Sequence, residues 1–256
     1  MRRAMIGIGL ALALWSAAPA NAHEPPFAWT GLYVGVNAGY SWGRATADLD
    51  ASGAVGGVPF DVTASRTAPV NGGLGGGQIG YNWQSQRWVY GLEADLQWTG
   101  QDGDVSACSG LACATARYDL DWFGTVRGRV GYLLEPRALL YVTGGLAYGH
   151  LNADFSASAP TLGTVSVSDS ATKAGWVIGG GLEWAVRGNW MVRAEYLYMD
   201  LGSMHTKLGP ISETFGSGEF PTVATASGTV RTDFTDQIFR VGLSYKFGGD
   251  SYAPLK

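Results

Sequence analysis

The chain is poor in charge, in cysteine and in long apolar runs, and each shortage narrows what it can be. Charged residues make up 15% of 256, where a soluble domain usually carries about a quarter. Past residue 22 no apolar run approaches the roughly 18 residues of a transmembrane helix, so a helical span is excluded. There is no basic surplus: with Arg2 and Arg3 set aside, 15 Lys and Arg face 21 Asp and Glu, a net charge of −6. Phosphate backbones need a concentrated basic surface, so nucleic acid is not an expected partner. Only two cysteines occur, Cys108 and Cys113. In an exported chain they are expected to form a small disulfide that pins a loop. The zinc alternative lacks further His or Cys nearby in the sequence.

Residues 1–22 read as a secretory signal peptide. Arg2 and Arg3 give the positive start, an apolar run extends from Ile6 to Trp15, and Ala20, Asn21 and Ala22 surround the expected cleavage point. Residues 23–256 then form one domain. Export without a membrane helix leaves a secreted globule or a β-barrel. The 39 glycines, ten Trp and twelve Tyr are an unusual profile for the former.

Strict alternation is what the chain has in abundance. Between residues 237 and 247, Phe239, Val241, Leu243, Tyr245 and Phe247 fall on one side, opposite Arg240, Gly242, Ser244 and Lys246. A side-chain period of two is a β-strand. Seven further stretches repeat it, giving strands at about 31–42, 75–83, 88–98, 118–133, 138–149, 174–186, 190–201 and 237–247. Segments 43–74, 99–117, 150–173 and 202–236 read as long surface loops, with short turns in between. Pro136 sits in one such turn, where it cannot continue a ladder. The alternation of long and short connections predicts an all-β fold: an eight-stranded, up-and-down antiparallel transmembrane barrel with short periplasmic turns and long extracellular loops.

Charge decides which face meets lipid. Glu93, Asp95, Asp119, Asp121, Arg127, Arg129, Glu183, Arg193, Glu195, Arg240 and Lys246 are assigned to the face away from the aromatics, so they are expected to fill a narrow lumen as paired charges. Trp42, Trp83, Trp88, Trp98, Trp122, Trp176, Trp184, Trp190, Tyr198, Tyr245 and Phe247 form the aromatic girdle at strand ends. Trp88 and Trp98 lie about ten residues apart, the reach of a tilted strand between the two bilayer interfaces.

Five stretches carry a resemblance: Trp29 to Gly35 (WTGLYVG), Trp122 to Tyr132 (WFGTVRGRVGY), Gly175 to Trp184 (GWVIGGGLEW), Glu195 to Gly202 (EYLYMDLG) and Arg240 to Phe247 (RVGLSYKF). In this order they resemble the porin-like family of outer-membrane immunogenic proteins of alpha-proteobacteria. The resemblance implies a surface-exposed barrel of the opacity and outer-membrane protein A type, without enzymatic activity or cofactor. Some relatives are associated with haem binding or host contact, a property of their loops. Such barrels usually end at a terminal aromatic read by the outer-membrane assembly machinery, whereas here residues 248–256 follow Phe247.

Motifs that suggest chemistry have plainer explanations. Gly75, Gly77 and Gly80 satisfy G-x-G-x-x-G, but a dinucleotide site needs a strand before the motif and a helix after it. Here strand alternation runs through it, which suits glycine on a crowded inner wall. Glu93 and Asp95 lack a substrate-sized cleft, because side chains just fill an eight-stranded barrel. His150 and His205 carry no motif of a lipid hydrolase or a haem site and read as solvated residues. The expected role is structural and interactive, through the loops at the outer membrane, with outer-membrane lipid, the assembly machinery and a host or surface ligand as partners. A narrow small-solute pore and haem capture by the loops are the alternatives.

Overall fold

The computed structural model describes residues 27–109, 112–159, 163–215 and 222–248. Every regular element among them is a strand: β1 (Gly31–Val55), β2 (Val58–Ser85), β3 (Trp88–Ser109), β4 (Ala112–Glu135), β5 (Ala138–Ala159), β6 (Gly163–Arg187), β7 (Trp190–Phe215) and β8 (Thr222–Lys246). They close into an antiparallel barrel in chain order. The closing seam pairs Val34 with Tyr245, Val36 with Leu243 and Tyr40 with Phe239. No open edge then faces lipid, where an unpaired backbone group costs several kcal/mol.

The predicted strands lie within these elements, except that the last runs one residue past β8 to Phe247, and the short turns fall at Gln86 and Arg87, Pro136 and Arg137, and Gly188 and Asn189. The long loops need correction. Strands run from 22 to 28 residues, more than twice what a crossing requires. Segment 43–74 is mostly the continued β1–β2 hairpin, with Leu49 facing Ala64 and Val55 facing Val58. Gly56 and Gly57 make its tight turn in the left-handed region, at φ 59 and 82. The thirteen steps from Trp42 to Val55 carry this hairpin roughly 40 Å along the strand beyond the aromatic level. These extensions went unread because backbone hydrogen bonds hold the ladder together whatever the side chains. Outside lipid, small and polar residues occupy both faces and the hydropathy period disappears.

The outer faces match the assignment from alternation. Val36, Leu92, Val142, Leu146 and Ile178 are more than half exposed between two aromatic tiers. The lower tier holds Trp83, Trp88, Trp184, Trp190, Tyr245 and Phe247, with ring contacts of 5.3 Å from Trp88 to Tyr132 and 5.1 Å from Trp190 to Tyr245. The upper tier holds Trp42, Trp98, Trp122, Trp176 and Tyr198, with Trp176 and Tyr198 5.4 Å apart. Inside, glycine lets long polar side chains lie against the wall. A Cβ at Gly80 would come within 2.4 Å of the Tyr33 hydroxyl, and one at Gly76 within 2.5 Å of Gln97 Oε1. Two inward glycines in and beside the dinucleotide-like motif thus make room for neighbouring side chains.

Candidate functional site

The lumen is filled in three layers. The middle one is a belt of charge in which four arginines, Arg127, Arg129, Arg193 and Arg240, meet four carboxylates, Glu93, Asp95, Glu183 and Glu195. None is more than 4% exposed. Glu93 sits at the centre, bonded to Arg127, to Arg193 Nη1 at 2.7 Å and to the Tyr33 hydroxyl at 2.6 Å. Asp95 Oδ2 accepts from Arg127, Arg240 and Thr125, each at 2.9 Å. Glu195 spans Arg127 Nη1 at 3.0 Å and Arg240 Nη2 at 2.6 Å, and also accepts from Tyr141 at 2.9 Å. Glu183 binds Arg129 and, at 3.2 Å, Arg193. Four positive and four negative groups leave this layer neutral. Its mutual hydrogen bonds offset a desolvation cost that unpaired charges could not meet.

Local geometry explains why these residues converge. Glu93 faces Arg127 across the β3–β4 register, Glu183 faces Arg193 across β6–β7, and Glu195 faces Arg240 across β7–β8. Each cross-strand row therefore pairs opposite charges, and the narrow bore joins the rows. Arg129 also stacks its guanidinium on Tyr141, 4.5 Å from the ring centre.

Below the belt lies an apolar layer of Tyr33, Val89, Leu133, Leu139, Tyr141, Ala185 and Met191, into which Phe27 and Trp29 fold from the N-terminal segment. Trp29 is wholly buried. Its Nε1 donates to Pro136 O at 3.2 Å, and its amide donates to Gln84 Oε1 at 2.9 Å. It thus ties the mouth to two separate periplasmic turns. Above the belt a second apolar layer includes Leu74, Leu120, Phe123, Leu151, Val177, Met199, Leu201, Phe234 and Ile238.

Three members of the expected lumen set stand elsewhere. Lys246 points inward but lies at the periplasmic end, its Nζ 5.2 Å from the Phe27 ring centre. Asp119 and Asp121 belong on the outside, which corrects their inward assignment. The register jumps from Leu120 to Trp122 against β5, so the β4 alternation reverses there, burying Tyr118 and Leu120 and turning both aspartates outward. Asp121 accepts from Asn152 at 2.7 Å, and Asp119 pairs with exposed Arg117 at 3.1 Å. That hydrogen bond holds the Arg117 guanidinium further above its ordinary value. Changing Asp119 or Asp121 to Asn is expected to move stability by no more than about 0.5 kcal/mol, whereas Asp95→Asn costs several-fold more. Urea unfolding of the three variants in detergent checks this ranking.

The histidines are not brought together. His150 stacks on Trp122 from β5, with rings 6.3 Å apart and 7° from parallel, while His205 stands on β7 beside Ser203. Cys108 and Cys113 face each other in register, but their side chains lie outside the described residues, as does the expected signal peptide. Tyr33, Tyr141, Trp29 and the buried Asp236 were missed. The first two sit at inward positions that alternation marks, but an aromatic reads as lipid-facing when only charge is used to choose the lumen side.

Comparison with known proteins agrees with this architecture. Residues 8–247 match the family model described as outer membrane protein beta-barrel domain. The 31 kDa outer-membrane immunogenic protein of Brucella melitensis is 39% identical over 90% of this chain and 89% of its own length. The 22 kDa outer membrane protein of Rhizobium leguminosarum is 32% identical over 70% of this chain and 68% of its own. The 25 kDa outer-membrane immunogenic protein of Brucella melitensis is 29% identical over 87% of this chain and 81% of its own. The chain is a member of the outer-membrane β-barrel family, an outer-membrane protein akin to the immunogenic proteins of Brucella.

Proposed function

We propose that the protein is a sealed, non-enzymatic scaffold that holds its extracellular hairpins away from the membrane for contact with external partners. One contrast supports this reading: the lumen is blocked by the paired belt, while the strands continue far past the upper aromatic tier. A transport route would need space where Glu93, Asp95, Arg127, Arg193 and Arg240 interlock. A catalytic use of Glu93 and Asp95 would need one carboxylate free, yet arginines hold both. A disulfide between Cys108 and Cys113 would fix the β3–β4 hairpin near its tip. Reconstituted protein is expected to show no steady conductance in planar bilayers, while protease on intact cells cleaves the hairpins and leaves the membrane core. Reproducible open channels from the wild type would sink the sealed-scaffold reading in favour of a narrow pore.

The assembly machinery is the second proposed partner. Phe247 closes the seam by donating its amide to Leu32 O at 2.7 Å, and its ring packs 5.3 Å from Tyr245. Phe247→Ala is therefore expected to impair insertion more than removal of residues 248–256 does. An outer-membrane assembly assay in which the truncation proves more damaging would reverse that assignment.

A further inference from the structure

Above the upper aromatic tier the barrel wall divides. Pairing of β2 with β3 ends at Asn71 and Asp102, and pairing of β6 with β7 ends at Trp176 and Asp200. The other ladders run on toward the hairpin tips, where Val55 faces Ala224, Ser109 faces Ala112 and Ala159 faces Gly163. The extracellular part is therefore two four-stranded sheets, β7-β8-β1-β2 and β3-β4-β5-β6, each with two open edges. An open edge presents unpaired N–H and C=O groups from alternate residues, a template for another extended chain.

Three of these edges are blunted. On β2, Pro59 and Pro69 lack the N–H that a further strand would need. On β7 the register slips between Asp200 and Ser203 and again between Leu208 and Ile211, where Pro210 stands. On β3 the open stretch is short, from Asp104 to Ser109, since at Gly103 a Cβ would still lie 2.3 Å from Pro69 O. The β6 edge differs. From Gly163 to Lys173 it has no proline and no register slip against β5, and its only charged residues are Asp169 and Lys173. This open stretch is about twice the usual length of a strand. Among the described residues, no backbone group pairs with it on the β7 side.

Charge narrows what such an edge would accept. Among the described residues, the outer face of this sheet sets Asp102, Asp104, Asp119, Asp121 and Asp154 against a single arginine, Arg117, which is already paired with Asp119. Asp104, Arg117, Asp154 and Ser168 form one cross-strand row that ends at the β6 edge. A residue added beyond Ser168 would stand two strand spacings, roughly 10 Å, from Asp154, a gap that a Lys or Arg side chain can bridge. On the inner face Leu151 and Ala153 are buried and Ala171 packs against their layer, so an inward side chain there would meet apolar surface. We propose that the β6 edge, Gly163 to Lys173, docks an extended cationic polypeptide segment of an external partner by strand addition. Its Lys or Arg side chains face the aspartates and alternate with small apolar ones on the inner side. Backbone pairing supplies the affinity, and charge selects the partner. This names a partner class for the scaffold reading and rests on it. A conducting barrel would remove that reading, whereas the measurements below bear on the edge alone.

The probe is a short fluorescein-labelled peptide alternating lysine and valine, titrated into the refolded full-length protein in phosphatidylcholine nanodiscs. Saturable binding is expected, absent from empty nanodiscs and from the same peptide with glutamate in place of lysine. N-methylation of alternate peptide residues tests the ladder, because only every second amide would face β6. In one phase it should weaken binding by about tenfold or more, and in the other leave it within about twofold. Asp154→Asn, at an exposed position, should weaken binding about threefold and lessen its salt dependence. A photo-crosslinker on Ser168→Cys should capture the peptide, while one on Ser65→Cys of β2 should not. Binding no stronger than to empty nanodiscs overturns the proposal. Equal effects of the two N-methyl phases overturn strand addition and leave charge attraction alone. An unchanged affinity and salt dependence in Asp154→Asn overturns the cationic class of partner. Capture at Ser65 instead of Ser168 overturns the proposal by placing the peptide on the other sheet.

Discussion

Replacing Glu93 by alanine is expected to cost about 3–5 kcal/mol of barrel stability and to open a measurable ion leak. Glu93 is the node of the belt. It lies within ion-pair distance of Arg127, Arg129, Arg193 and Arg240, the last two at 2.7 and 3.8 Å, and it also accepts from Tyr33. Its removal leaves four guanidiniums facing three carboxylates in a space closed to water. The unpaired positive charge, rather than the lost contact, dominates the cost. Glu93→Gln keeps the volume and two hydrogen-bonding atoms but not the charge, so it should recover only a minor share. Adding Arg193→Ala to Glu93→Ala should restore part of the stability, because it returns the belt to neutrality. The measurements are urea unfolding in detergent and planar-bilayer conductance. A loss below about 1 kcal/mol, the scale of an exposed pair, would mean that water reaches the belt and screens it.

The second large effect is expected at the opposite mouth. Trp29→Ala should destabilise the barrel by about 3–5 kcal/mol, the range for emptying a buried aromatic site. Trp29 fills the periplasmic layer together with Phe27, whose ring lies edge-on at 5.0 Å. Its hydrogen bonds to Pro136 and Gln84 join the β4–β5 and β2–β3 turns, which are neighbours through the β3–β4 pairing. Trp29→Phe should retain most of the packing and lose only the indole donor, a change of about 1 kcal/mol. Trp29→Ala should also admit a water-soluble thiol reagent to a cysteine placed at Met191, which is buried beneath the ring in the wild type. Unfolding midpoints and labelling rates report the two effects separately. Unchanged values for both would show that the N-terminal segment rests on the mouth without closing it.

Where the chain crosses lipid, its architecture was legible residue by residue. Lipid demands an apolar outer face and an interior that satisfies its own polar groups, and both demands write a period of two into strands such as 88–98. The same reasoning found Glu93, Arg127, Arg193 and Arg240, because ionised groups inside a bilayer have only the lumen to occupy. It failed at Asp119 and Asp121. Two carboxylates in phase with the strand looked inward, and only the register jump beside Trp122 turns them out. It also failed in the extensions: Ala45, Ala68 and Val70 are buried there, but the outer face contacts water, so no contrast in hydropathy marks the strand.

By itself the sequence determined the number and order of the strands, the lipid-facing set and the stock of lumen charges. A one-dimensional period is enough for these, since each residue's environment depends on its parity along its own strand. The tertiary structure alone decided which charges meet, because ring closure sets eight strands in a definite stagger and brings Glu93 of β3 against Arg193 of β7. It likewise decided that Trp29 stoppers the mouth and that Gln101 of β3 meets Asp236 of β8. Those relations depend on distances across a bore barely wider than its side chains, and no local pattern records them.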